Sequence, residues 1–268
     1  YFPVAPYDHY VDLRDQMART SHPIVPVVRA MAQVCEHQGN KKSGEFVHWG
    51  ATTQDIMDTG LILQMKDGLD LVIEGLGEVA TNMAKLAKEH RDTPLAGRTH
   101  GQQALPVTFG YKVAVWLDEV RRHQERLKEM APRVLVGQFS GAVGTFAALG
   151  EKGPDVTDKM MADLGLGSPV ISWHVAKDRQ AEYACTLALV AGTMGKIAHE
   201  VATLQRTELA ELEEPHQPGK VGSSTMPQKR NPSTCEGIQS LARLAWACVP
   251  PAFEGMVAEH ERDKIANQ

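Results

Sequence analysis

The chain has 268 residues, 43% hydrophobic and 23% charged, enough to bury a substantial core in one or two domains. Its formal net charge of -5, with basic residues scattered and no run beyond pairs such as Lys41-Lys42 and Arg121-Arg122, argues against nucleic acid or an anionic membrane as the main partner. No stretch is apolar for the ~20 residues of a membrane span, none has the layout of a signal peptide, and Cys35, Cys185, Cys235 and Cys248 form no Cys-x-x-Cys pair, so free thiols and a cytoplasmic location are expected.

The chain opens at Tyr1 without a methionine and stops at Gln268 in a polar segment of helical composition, and is read as part of a longer subunit. From Gln54 to His90, apolar residues recur in three- and four-residue steps, which predicts a long helix despite Gly68, Gly75 and Gly77. Pro106 stands where a second helix would begin, with Val107–Met130 running unbroken to Pro132. Strand signals are confined to Val134–Phe139 and Val170–Trp173, and turns are expected at Ser140–Gly150 and Gly165–Gly167. In Lys177–Leu212, Tyr183, Leu187, Val190, Met194, Ile197, Val201 and Leu204 alternate steps of four and three, a seam suited to packing on other long helices. The fold class expected is all-α, a long-helix bundle.

The segment from Glu214 to Pro232 is the one long polar loop, and contains Gly222-Ser223-Ser224-Thr225-Met226-Pro227-Gln228-Lys229-Arg230-Asn231-Pro232. A glycine followed by two serines can converge backbone N–H groups on an anion. Lys229 and Arg230 add positive charge, and Asn231-Pro232 is a good start for a helix. Such a loop suits a carboxylate or phosphate; it is also what a solvated loop with a helix cap looks like. No metal-ligand spacing and no phosphate- or dinucleotide-binding glycine motif is present, so no cofactor is expected.

Taken whole, this run closely resembles the signature loop of the fumarase/aspartase superfamily, Gly-Ser-Ser-x-Met-Pro-x-Lys-x-Asn-Pro, and matches every fixed position. Val47-His48-Trp49-Gly50-Ala51-Thr52-Thr53-Gln54-Asp55 resembles the family's first block and Arg98-Thr99-His100-Gly101-Gln102 its second. The likeness runs from about His22 to the chain's end, through Ser140–Thr145 and Trp173–Glu182. It implies residues 1–50 as the remainder of an N-terminal helical domain and 51–268 as a central helical-bundle domain, with the C-terminal domain absent. It also implies a homotetramer in which three blocks from three subunits form each site.

Residue by residue, the resemblance implies Ser223 as the base that takes a proton from the carbon beside a carboxylate. A serine needs its alkoxide stabilised for this, by convergent N–H groups and Lys229. Lys229 and Asn231 would hold the carboxylate that gains charge, with Ser224, Thr52, Thr53, Thr99 and Gln102 as further substrate donors. His100 would protonate the leaving group and Glu236 would orient it, although Ser233–Glu236 also reads as a capping box. His48 matches a substrate-contacting histidine. Arg179 is a candidate for a distal carboxylate or phosphate, or an ordinary helix-start arginine. His22 stands where the adenylosuccinate lyase branch has a His-Asp pair; Pro23 replaces that Asp and leaves the role of His22 open. Pro218–Met226 is expected to act as a lid.

Thr20–Val27, Val136–Gly150 and Trp173–Arg179 resemble the 3-carboxy-cis,cis-muconate cycloisomerase branch, whose bacterial members commonly lack a histidine in the second block; His100 is retained here, as in adenylosuccinate lyases. The resemblance therefore implies a lyase that cleaves a C–N or C–O bond in a succinyl-type substrate and releases fumarate. Lactonising cycloisomerisation is the alternative, and a crystallin-like structural protein is the alternative from another class. The substrate would be a small di- or tricarboxylate.

Overall fold

The computed structural model describes residues 7–22, 24–39, 42–215, 223, 225–226 and 228–263. Among these residues, eight α-helices and one hairpin follow in the order α1 (Tyr7–Thr20), α2 (Val25–Gln38), α3 (Thr53–Glu89), β1 (Pro94–Thr99), β2 (Gln102–Thr108), α4 (Phe109–Val134), α5 (Gly153–Leu164), α6 (Asp178–Leu204), α7 (Ser233–Ala247) and α8 (Val249–Glu254). The chain is all-α in class, with a small antiparallel hairpin as its one sheet among the described residues. It divides into two compact units, Tyr1–Leu61 with Gly137–His174, and Ile62–Val136 with Val175–Gln268.

The core of the first unit is unusually polar. On α3 the residues Gln54, Asp55, Asp58 and Thr59 share one buried face, beside Gln138, Trp173 and His174. Each finds a partner, which is what makes burial of polar groups tolerable. The Gln138 amide donates to Thr59 Oγ1 at 2.8 Å, and the Thr59 hydroxyl lies at the same distance from the Gln138 carbonyl. The Trp173 amide donates to Gln138 Oε1 at 2.7 Å and its indole N–H to the Gly137 carbonyl at 2.8 Å. These bonds explain why the two expected strands do not form. The Gln138 and Trp173 amides are taken by side chains, the Gly137 amide donates to the Gly167 carbonyl at 3.1 Å in an isolated bridge, and Val134 itself ends α4.

The second unit is the helical bundle. Its best-formed seam lies on α4, where Val113, Trp116, Val120, His123, Leu127, Met130 and Val134 are all buried in alternating steps of three and four. α6 packs against α4 and α7. Its expected seam is only partly covered: Val190 and Leu204 are buried, while Tyr183, Leu187, Met194, Ile197 and Val201 are half-buried. The closest approach uses small residues instead, since a Cβ on Gly195 would lie 3.1 Å from the Cβ of Ala242 on α7. The Trp246 indole donates to the Ala188 carbonyl at 3.0 Å across the same contact.

The helix expected to start at Pro106 begins at Phe109 instead, capped by Thr108, whose hydroxyl accepts the Tyr111 amide at 3.1 Å. Pro106 is in β2, opposite Ala96. It lies on a two-stranded sheet with open edges, where a missing N–H is tolerated. α4 also continues through Pro132 to Val134.

Candidate active site

In the first unit, His48 lies in a turn at φ 67° with its Nδ1 buried and without a partner. A non-glycine residue in the left-handed region is uncommon and costs of order 1 kcal/mol, so the tertiary setting must hold it there. Thr53 is the first residue of α3, and its hydroxyl oxygen lies 3.1 Å from Nε2 of His22. Thr52 precedes it, and its amide donates to Oδ2 of Asp55 at 2.9 Å. Asp55, at the third helical position, thus does what the carboxylate of a capping box does.

Asp55 also reaches further. Its Oδ2 accepts the Gly141 amide at 2.9 Å, and its Oδ1 accepts from Nε2 of His174 at 2.7 Å. The imidazole is held on its other side by Ser172, 3.1 Å from Nδ1, and Ser172 in turn by Ser140 at 3.1 Å. Asp55 is fully buried and His174 is 2% exposed. This pair ties the threonine-bearing turn to the glycine turn at Ser140–Gly144. Sequence reading quoted Asp55 within its block but gave it no role. The signal available was a carboxylate three residues after an N-cap candidate.

The second unit carries the other candidates. Thr99 pairs with Gln102 across the hairpin, leaving His100 and Gly101 as a two-residue loop. Both have positive φ, 53° and 74°, the combination of a type I′ turn. Glycine at the second loop position meets that demand without strain, and the strained position falls on His100. Arg98 anchors the hairpin by a bidentate bond to Glu211, at 2.8 and 2.5 Å, with side chains 19% and 21% exposed. The hydrogen bond from Arg98, reinforced by its charge and that of Lys112, holds the Glu211 carboxyl below its ordinary range despite the opposing effect of partial burial.

In the signature loop, Ser223 Oγ accepts backbone N–H groups from Thr225 at 3.4 Å and Met226 at 3.2 Å. Lys229 and Glu236 are exposed and Asn231 half-buried. Ser224 and most of the expected lid, Pro218–Met226, lie outside the described residues. Asn231 is not the helix cap. α7 begins at Ser233 after Pro232, and neither Asn231 nor a Ser233–Glu236 box caps it. Glu214 does so from twenty residues upstream, accepting the Thr234 and Cys235 amides at 3.3 and 2.7 Å. A carboxylate there is favoured by the helix dipole, which a neutral Asn offers less. Gln205, just past α6, bonds both loop ends: its Oε1 accepts the Glu214 amide at 3.0 Å and its Nε2 donates to the Arg230 carbonyl at 3.1 Å. Neither Glu214 nor Gln205 was legible beforehand, since their partners are far along the chain.

Arg179 donates from Nε to the Arg133 carbonyl at 3.0 Å, at the C-terminal turn of α4. His100 and Glu236 are both exposed, and no hydrogen bond joins them among the described residues. Among the described residues no helix is long and apolar enough to cross a membrane, and no cluster of metal-ligating side chains occurs.

A protein family described as "Lyase" matches residues 17–245. The chain is 44% identical to N-acetyl-S-(2-succino)cysteine lyase of Dickeya dadantii, over 95% of this chain and 55% of that protein. It is 46% identical to the adenylosuccinate lyase of Pyrococcus abyssi, over 92% and 54%. The structure of 3-carboxy-cis,cis-muconate lactonizing enzyme from Pseudomonas putida superposes with a TM-score of 0.87 at 43% identity, covering 94% of this chain and 56% of that one. The chain spans about half the length of the curated relatives it matches. It belongs to this lyase family, within the fumarase/aspartase superfamily.

Proposed function

We propose that this member of the fumarase/aspartase superfamily eliminates a leaving group from the carbon beta to a carboxylate of a succinyl-type substrate and releases fumarate. The observation that carries the reading is the pair of backbone N–H groups on Ser223 Oγ. Donors aimed at a hydroxyl oxygen favour its anion, and an alkoxide is the form in which a serine can take a proton from carbon. Thr52 and Thr53 at the start of α3, where the helix dipole favours negative charge, suit a substrate carboxylate. Lys229 and Asn231 hold the carboxylate that gains charge, and His100 protonates the departing group.

The bond cleaved is C–N or C–O by the sequence reading. The likeness to an N-acetyl-S-(2-succino)cysteine lyase adds a C–S bond to that set. Lactonisation of a carboxymuconate is the second reading, favoured by the structural likeness to the lactonizing enzyme. A panel of adenylosuccinate, argininosuccinate, N-acetyl-S-(2-succino)cysteine, aspartate, malate and 3-carboxymuconate, followed by ultraviolet absorbance, separates them. Fumarate from a succinyl substrate is expected; lactone from carboxymuconate alone would replace the lead reading, and silence on every substrate would favour a structural protein.

The sites are proposed to be composite, in a homotetramer. The exposed apolar side chains of α7, Leu241 and Leu244, and of α3, Leu71, support this. Mixing inactive Ser223→Ala subunits with inactive His100→Ala subunits is expected to restore part of the activity. No recovery after verified subunit exchange would place each site within one chain.

A further inference from the structure

His22 offers both ring nitrogens to neighbours of the site. The amide of Val25, the first residue of α2, donates to Nδ1 at 3.3 Å. A backbone N–H can only donate, so Nδ1 presents its lone pair and the neutral ring carries its proton on Nε2. That nitrogen lies 3.1 Å from Thr53 Oγ1, so the hydroxyl oxygen accepts this bond. A threonine oxygen that accepts from an imidazole still has its own proton to give. Thr53 opens α3, so that proton lies at the helix N-terminus, where the dipole favours an anion.

We infer that His22 is a positioning residue that turns the Thr53 hydroxyl into a committed donor toward the substrate carboxylate, and is not an acid or base in the reaction. With one nitrogen held by the α2 backbone and the other by Thr53, neither is free to exchange a proton with substrate. The backbone amide here sets the tautomer, a task that a neighbouring carboxylate commonly performs and that Pro23 cannot. The assignment of His22 to Thr53 stands on geometry; its consequence for substrate rests on the elimination reading above.

Two amide substitutions separate the functions of the ring. His22→Asn keeps an acceptor near Nδ1 for Val25 and loses the donor to Thr53; His22→Gln keeps a donor near Nε2 and loses the acceptor. In His22→Asn, fumarate affinity by calorimetry and kcat/KM are expected to fall about tenfold or more, with the unfolding midpoint unchanged. His22→Gln is expected to restore most of that affinity while unfolding earlier. In a Thr53→Val background, His22→Asn should add no further loss, because the two residues act through one bond. Nitrogen-15 spectra of the unliganded protein should show the proton on Nε2; a proton on Nδ1 overturns the inference. Equal loss in both amide variants, with a limb of the pH–rate profile missing, overturns it in favour of acid–base chemistry. Should the wild type bind no fumarate and turn over no succinyl substrate while His22 shows the Nε2–H form, the elimination reading fails and the pairing of His22 with Thr53 survives.

Discussion

Ser223→Ala is expected to lower kcat by about 10²–10⁴-fold while leaving fumarate binding nearly unchanged. The hydroxyl contributes little to holding a dicarboxylate, since charged and donor groups elsewhere do that. In the proposed elimination its value lies in the transition state, where Oγ would take the proton and the two backbone N–H groups on it would stabilise the charge it carries beforehand. Exchange of the α-carbon proton with solvent deuterium should therefore stop in Ser223→Ala. His100→Gln provides the contrast. Removing the proposed general acid should leave exchange measurable while turnover of substrates with poor leaving groups collapses, because only the later bond cleavage would need its proton. Equal loss of exchange in both variants would refute this division and move His100 to proton abstraction or carboxylate binding.

Asp55→Asn is expected to destabilise the protein by about 3 kcal/mol, because buried groups that the carboxylate holds lose an acceptor. The carboxylate uses one oxygen for His174 at 2.7 Å and the other for the amides of Thr52 and Gly141, both at 2.9 Å. Asparagine has one acceptor oxygen, so it cannot accept from the two amides and the imidazole together as the carboxylate can. The unfolding midpoint should fall on the order of 10 °C. Asp92→Asn is the control. Asp92 pairs with Arg91 at 3.0 Å, but its side chain is 82% exposed, and its loss should not measurably shift the midpoint. Equal midpoints for the two variants would show that the Asp55–His174 pair is dispensable.

The long helices were legible because apolar periodicity is a local signal. α3 was expected from Gln54 to His90 and spans Thr53–Glu89. α6 begins at Asp178, one residue after the expected start, and ends at Leu204, short of the expected Leu212, where Glu211 is instead engaged by Arg98. The signature loop was legible for a different reason: reactive groups packed into eleven consecutive residues identify themselves as a string.

What sequence alone could not decide falls into two kinds. Backbone conformation at His48 and His100 is one: neither residue type demands a left-handed φ, and only the surrounding turns impose it. Long-range polar pairing is the other. His174 meets Asp55 across 119 residues, Arg98 meets Glu211 across 113, and Glu214 caps a helix that Asn231 was expected to cap. Side-chain chemistry says that each of these groups must find a partner once buried; it does not say which. The hairpin shows the same limit from the other side, since Pro106 is compatible with a helix start and with an open sheet edge, and the pairing of Leu95 with Val107 chose the second. By itself, then, the sequence determined the helical class and the signature loop of the family, because both are written in neighbouring residues. The tertiary structure alone decided which carboxylate, imidazole and amide pair with one another, because those choices depend on which segments meet in space.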